Sequence, residues 1–290
     1  MQVFLNGAIS GLTLAVLALS FMVVYLPCRV FYLALAGIYA VVPYITLSCL
    51  RHGCPVWLTV IAAIATGIGV SLLCELVNHA PLEKKRASPG AHLIASLGLY
   101  LILVQVVAII WGNETQVLRS GIDTVYHFGN AIILTRAQVL AGCGSILLLL
   151  AFYCWLRFSN LGLQFRAMAD NPVQLALHGY NIRRLRFFAF GMAGFLGAVS
   201  ALFVANDVGF DPHGGLPVLL LAIVAVIIGG NTSFLAPALG GLLLGIVRAS
   251  AVWYLSARWQ DAVTFLLLAL FLLFRPHGIL GRKLRLEAEA

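Results

Sequence analysis

Apolar residues gather into nine runs separated by short polar punctuation: roughly 3–26, 30–50, 56–78, 91–111, 138–156, 187–206, 216–230, 236–255 and 262–274. A helix of about 20 apolar residues crosses a hydrocarbon core of about 30 Å. Most of the runs approach that length, and the pattern predicts an all-α fold, a polytopic membrane helix bundle of about eight or nine spans. Two runs are short or interrupted. Pro27, Gly37 and Pro43 punctuate the second, and Pro217 with Gly229-Gly230 bounds the seventh. An opened helical turn frees backbone groups to meet a solute, so one or two interrupted helices are expected to line a pathway; a kinked helix used only for packing would read the same way. Neither a linker nor a direct repeat divides the chain, and residues 1–290 read as one transmembrane domain.

Composition agrees with this reading. Hydrophobic residues make up 62% of the chain and charged residues 10%, where a soluble domain has about 25% charged residues. Too few charges remain to cover a water-facing surface, and the mean hydropathy is +1.01. The net charge of +8 sits in the gaps between runs. It therefore reports membrane topology rather than nucleic-acid binding. Lys84, Lys85 and Arg86 share one gap, Arg157, Arg166, Arg183, Arg184 and Arg186 lie around a second, and Arg275, Arg282, Lys283 and Arg285 close the chain. An even number of runs separates each of these segments from the next, so all three fit on the cytoplasmic side, as the positive-inside rule requires. The C-terminus is then cytoplasmic, the loops near 112–137, 206–215 and 256–261 face outward, and nine full crossings put the N-terminus outside. The first run lacks a basic leader and a small-residue cleavage site, and reads as a retained span rather than a signal peptide.

Motifs for chemistry are sparse. The sequence contains no GxxxxGK[ST] loop for ATP, no HExxH and no GxSxG; no catalytic residue, metal site or cofactor is expected. Cys28, Cys49, Cys54, Cys74, Cys143 and Cys154 form no CxxC pair, and only Cys49 and Cys54 flank a common short loop. The seven histidines are spread along the chain, mostly at span ends. Glu75 and Arg248 fall toward the ends of their runs, where a long side chain reaches the interface at little cost. An ion-coupled carrier usually holds ionisable groups in mid-span. Their scarcity directs attention to an external energy source: a separate ATPase pressing on a cytoplasmic loop. Small residues recur at Gly7 and Gly11, at Gly241 and Gly245, and at Gly191, Gly194 and Gly197, a spacing that lets helix backbones approach closely in lipid.

The gap at 157–186 is too polar to span and too apolar for a plain loop. Asn171 suits an N-cap, Pro172 the first helical position and Gly179 the helix-ending position, where positive φ is favoured. About two helical turns are expected over Val173–His178, with Leu175 and Ala176 on an apolar face. So short a helix is marginal alone. It requires a docking surface, either in its own bundle or on a partner, or it lies on the membrane surface.

The segment FRAMADNPVQLALHGYNI over 165–182 resembles the cytoplasmic loop of LivH-type permeases from branched-chain amino acid ABC importers, whose pattern is close to RAxADNxxxAxxxGIN. The resemblance extends to Asn6-Gly-x3-Gly-Leu-x-Leu-Ala15, LEKKRAS at 82–88, HLIASLG at 92–98, Ala193-Gly194, VIIGGN at 226–231 and LFRPHGILG at 273–281. It covers nearly the whole chain, in order. Two departures stand out. Leu33–Gly37 replaces the expected Asn-Phe-Ala-His-Gly-type wording, which leaves the substrate open, and Tyr180 stands where the family usually has Ile.

The resemblance implies an inner-membrane permease subunit with a cytoplasmic coupling loop near 157–186, without a catalytic site of its own. Implied partners are a second, LivM-like permease, two ATP-binding subunits, a periplasmic substrate-binding protein and the lipid bilayer. Coupling would fall to Arg166, Ala167, Asp170, Asn171, Pro172, Leu175, Ala176, Gly179 and Asn181. Gly37, Tyr39, Asn206, Asp207, Gly230 and Asn231 are the pathway candidates, because Gly brings backbone close to a solute and Asn offers both donors and acceptors. The expected cargo is a branched-chain or related amino acid. Alternatives are a urea or short-amide ABC permease of the same superfamily, and an ion-coupled secondary transporter; ATP dependence of uptake separates the last from the others.

Overall fold

The computed structural model describes residues 2–118, 124–128, 132–230, 233–275 and 277–280. Each of the nine apolar runs is a helix. They are α1 (Gln2–Cys28), α2 (Leu35–Arg51), α3 (Val56–Cys74), α5 (Pro89–Trp111), α6 (Arg136–Phe158), α9 (Ile182–Asp207), α10 (Gly215–Gly229), α11 (Ala236–Tyr254) and α12 (Gln260–Phe274). A π-helical turn, Glu75–His79, joins α3 to a short α4 (Ala80–Lys84), giving one apolar helix over Val56–Lys84. Seven of these helices are long and apolar enough to cross a membrane, α12 when taken with the 3-10 turn Ala257–Trp259 that leads into it; α2 and α10, the two punctuated runs, are shorter. The chain forms a polytopic helix bundle. A hairpin of β1 (Val125–Phe128) and β2 (Ile132–Thr135) adds to the all-α expectation in the segment read as an outer loop.

The bundle is built around α1, which packs chiefly against α11 and α9, then α10 and α6. The tightest crossing, between α1 and α11, is made by two small-residue ridges. A Cβ on Gly11 would lie 2.7 Å from the Gly241 carbonyl, and one on Gly7 would lie 2.8 Å from the Ala249 Cβ. Gly194 of α9 meets Gly67 of α3 in the same way. In lipid, without a hydrophobic force between helices, such close van der Waals approach is a main source of association. At the other extreme is α12, where Thr264 alone is fully buried, Leu267, Leu268 and Phe271 pack partly on the core, and Phe265, Leu266, Leu270, Leu272, Leu273 and Phe274 are exposed.

Contacts between helix ends define two faces. At one, Gln2 donates to the Ile133 carbonyl, Arg51 to Gln116 and Trp111 to Ser48, while Gln116 and Phe210 pair through their backbones. At the other, Cys28 meets Met168 and Leu185, and the Ile279 and Leu280 amides donate to the Ile228 and Gly229 carbonyls. Lys84, Arg157, Arg183 and Arg275 all lie at helix ends on this second face, where α1 and α10 also end. Nine helices alternating between two faces place Gln2 and Phe274 at opposite ends.

Residues 29–34 are not regular helix, yet Val30, Tyr32, Leu33 and Ala34 are buried. Non-helical backbone at membrane depth must be enclosed by protein. Here the Ala34 amide donates to Ser96 Oγ and the Tyr32 hydroxyl to Ser71 Oγ. The punctuation by Pro27 thus marks an opened, protein-covered stretch ahead of α2. All six cysteines are free thiols, including Cys49 and Cys54.

Candidate functional site

Three constructions concentrate polar groups. The first is the segment 159–181 at the cationic face. Ser159 caps α7 (Asn160–Asp170), and Asn171 both ends α7 and caps α8 (Pro172–Leu177), its Oδ1 accepting from the Val173 and Gln174 amides at 3.0 and 3.1 Å. Gly179 follows with φ +84, the conformation expected of it. Asn181 then caps α9 by accepting from the Arg184 amide at 3.2 Å. The start and stop of α8 are therefore set by Asn171 and Gly179, the residues the sequence marked for them.

The face that α8 offers differs from expectation in one respect. Leu175 is 7% exposed and packs on Met168 and Leu185, so it anchors α8 to the bundle. Ala176 does point outward, and it is joined by Val173 and by Leu177, which is 82% exposed. In a six-residue helix, positions 173, 176 and 177 form the i, i+3, i+4 stripe and 175 falls on the reverse side. Asp170 is exposed, and Ala167 and Arg166 are half-buried. The Arg166 Nε is buried with no hydrogen-bond partner among the described residues.

The second construction is a buried ionic cluster near the same face. Arg186, in the first turns of α9, donates from Nε to Glu75 Oε1 at 3.1 Å and from Nη2 to Oε2 at 3.4 Å, while its Nη1 stands 2.9 Å from Glu83. Glu83 approaches His92 at 3.9 Å, and the His92 and His79 Nδ1 atoms are 3.2 Å apart. Glu75 and Arg186 are 3% and 6% exposed. Glu75 therefore does not reach for the interface as its place in the run suggested: it sits on the π-helical turn and is neutralised internally. The histidines, scattered in sequence, meet here in a pair. The one sequence sign was the clustering of Glu75, His79, Glu83 and His92 around a single turn.

The third is a cavity of about 520 Å³ toward the hairpin face, bordered by α1, α2, α9, α10 and α11. Of the pathway candidates, Tyr39 and Asp207 line it. Neighbouring Asn206 is half-buried and is not among the lining residues. Gly37 packs against Leu103 of α5. Gly230 lies at the opposite face with φ +115, its Cα 2.5 Å from where a Gly278 Cβ would be; it serves a close backbone approach. Asn231 lies outside the described residues. Sequence reading missed Arg248 as a wall of this cavity. It donates from Nη1 to the exposed Asp261, in the first turn of α12, at 3.0 Å and to Thr264 at 2.9 Å.

A multi-span bundle with a solute-sized cavity toward one face and a rigid capped helix at the other defines a membrane transport protein. The chain belongs to the family described as branched-chain amino acid transport system / permease component, whose model matches residues 3–272. It is similar to the high-affinity branched-chain amino acid transport system permease protein LivH of Escherichia coli (strain K12), 29% identical with 97% of this chain and 96% of that protein covered. It is equally similar to the permease protein BraD of Pseudomonas aeruginosa, 29% identical over the same shares. The fructose import permease protein FruF of Bifidobacterium longum is more distant, 23% identical over 76% of this chain and 62% of that one. Among solved structures, PsaBC from Streptococcus pneumoniae in complex with Fab shares the fold, with a TM-score of 0.53 at 11% identity over 96% of this chain and 93% of that one. The chain is a multi-pass inner-membrane transport subunit of this permease family.

Proposed function

We propose that this chain carries a branched-chain or related amino acid inward as the membrane subunit of an ATP-driven importer. Residues 1–290 act as one permease domain. The partners in this reading are a second related permease, two ATP-hydrolysing subunits on the cationic face and a solute-binding protein on the hairpin face. ATP is hydrolysed by those subunits, and this chain supplies no catalytic group. The cationic face, with the C-terminus, is cytoplasmic.

The observation that carries the reading is α8. It is short, capped at both ends, anchored inward by Leu175, and presents Val173, Ala176 and Leu177 to the outside. Helix, anchor and cap residues form a rigid knob fused through Asn181 to α9, so a force on α8 is delivered to a helix that runs the depth of the bundle. An exposed apolar knob on a polar loop supports docking into a cleft of a partner protein.

The test is ATP-driven uptake of radiolabelled leucine in proteoliposomes containing the assembled complex. Leu177→Asp is expected to lower uptake at least about tenfold, the loss of about 1.4 kcal/mol of docking energy, and to weaken co-purification of the ATPase while the bundle stays folded. Full uptake with full ATPase association would leave α8 as a lipid-surface element. Orientation has its own test. A cysteine at position 84, in a background lacking the native cysteines, is expected to resist an impermeant maleimide in intact cells and to react in inverted vesicles. Labelling in intact cells would reverse the assigned sides.

A further inference from the structure

Three helices leave a seam on the outer surface of the bundle. Both α6 and α11 pack on α1, but they barely touch each other. The gap between them, toward the cationic face, is a groove of about 180 Å³. Leu19 of α1, Phe152 and Leu156 of α6, and Phe234 form its floor, each 7% exposed or less. Leu150, Tyr153 and Leu235 stand exposed at its rim. Apart from the Tyr153 hydroxyl, every lining side chain is apolar. A polar solute finds no partner here, and the volume lies below the range of about 300–1,000 Å³ usual for small-molecule sites.

The groove's place and length indicate what fills it. Most of α6 faces outward, so acyl chains border the groove in a bilayer, and an unfilled gap would forfeit the dispersion contacts of its walls. The groove follows α6 from Leu149 to Leu156, about 10 Å at about 1.5 Å per residue, and the helix ends just beyond, at Phe158. One leaflet of a hydrocarbon core of about 30 Å is about 15 Å deep. The groove therefore lies within the leaflet on the cationic face. A charge stands at its mouth. Arg157 follows Tyr153 by one helical turn and Leu150 by two, so the three share a stripe of α6. Arg157 is exposed and has no ion pair among the described residues, and α6 carries no acidic residue to compete for it. A tyrosine at headgroup level is a common interfacial anchor.

We propose that the seam between α6 and α11 binds one phospholipid from the leaflet on the cationic face. An acyl chain lies in the groove, and an anionic headgroup is held by Arg157 and the Tyr153 hydroxyl. The lipid completes a wall that the protein leaves open. Its floor belongs to the aromatic cluster that seats α7, because Phe234 meets Phe152 and Phe165 at ring distances of 6.2 and 5.8 Å.

The test is photo-crosslinking in nanodiscs, with the protein purified together with the subunits that accompany it. The probes are phosphatidylglycerol and phosphatidylcholine, each with a diazirine on one acyl chain, at trace level in a phosphatidylcholine bilayer. Adducts are mapped by mass spectrometry. At the wild type the phosphatidylglycerol probe is expected to label residues 149–156 and 234–238 at least about fivefold more than the phosphatidylcholine probe, the value of one arginine beside an anionic lipid. Arg157→Gln is expected to bring the two yields together. Ala238→Phe fills the groove and is expected to suppress labelling there by both probes while labelling of α3 and α12 stays unchanged. Arg157→Gln alters an exposed position and answers by itself where Ala238→Phe fails to assemble. Equal wild-type labelling by the two probes, or unchanged selectivity in Arg157→Gln, overturns the site. Labelling no denser at the groove than on α3 and α12 also overturns it and leaves annular lipid only. Absence of labelling by both probes overturns it in favour of a protein partner on the seam.

Discussion

A valine at Gly245 is expected to prevent the bundle from assembling. A Cβ at this position would fall against the Gly11 Cα and the Gly7 carbonyl, and 2.5 Å from the Gly11 amide nitrogen. These neighbours are backbone atoms of α1, which cannot swing aside as a side chain would. Relief requires α1 and α11 to separate, and α1 is the helix around which α9, α10 and α6 also pack. Overpacking usually costs about 1–3 kcal/mol and occasionally more; a central backbone-to-backbone contact belongs at the upper end. The expected result is loss of the monodisperse species in size-exclusion chromatography in mild detergent. Gly69→Val is the matched control, since a Cβ there meets nothing within 4 Å, and it is expected to behave as the wild type. A folded, well-dispersed Gly245→Val protein would show that the ridges are dispensable.

The second large effect is expected at Arg186. Replacing it with methionine leaves Glu75, 3% exposed, without its bidentate partner. Removing one member of a buried pair typically costs about 3–5 kcal/mol, because the other charge is stranded. Arg186→Met should therefore lower the thermal unfolding midpoint sharply. The double variant Arg186→Met with Glu75→Leu removes both charges and is expected to recover much of the loss, as apolar replacement of a whole buried pair often does. The coupling between the two changes is the quantity to measure. Simple additivity would mean that the pair contributes nothing beyond its separate side chains. Glu83, which is more than half exposed and bonded to the same guanidinium, should give a milder effect when changed to Gln.

The location of every long helix was legible in the sequence because length and apolarity are what a bilayer demands of a crossing segment. Local chemistry was legible too: Asn171, Pro172 and Gly179 frame α8, and the two punctuated runs are the two short helices. What the sequence withheld is which way each helix faces. A soluble helix declares its buried side by polarity, whereas a helix between lipid and protein is apolar all round. The small-residue ridges were the exception, since size rather than polarity marks their buried face, and they do pack together. Which of Leu175 and Leu177 faces the bundle was not legible, because six residues carry too little periodicity to separate them. The Arg186–Glu75 pair joins positions 111 residues apart, and no local pattern reports such a distance. The cavity has the same origin, drawing Asn6, Tyr39 and Arg248 from three helices.

The two short helices also determine where an electrical gradient acts. At about 1.5 Å per residue, the 17 residues of α2 and the 15 of α10 measure about 26 and 23 Å, less than a hydrocarbon core of about 30 Å. They pack against each other, α2 also on α3, α5 and α9, and α10 also on α1 and α11, so the shortfall is enclosed by neighbouring helices rather than met by deformed lipid. Water entering the cavity at the hairpin face would leave only the length beyond it as insulator. The membrane voltage would then fall across that shortened layer, with a steeper field there than in the intact bilayer. A zwitterion has no net charge to be driven by the voltage, but its dipole is turned by a field of this kind.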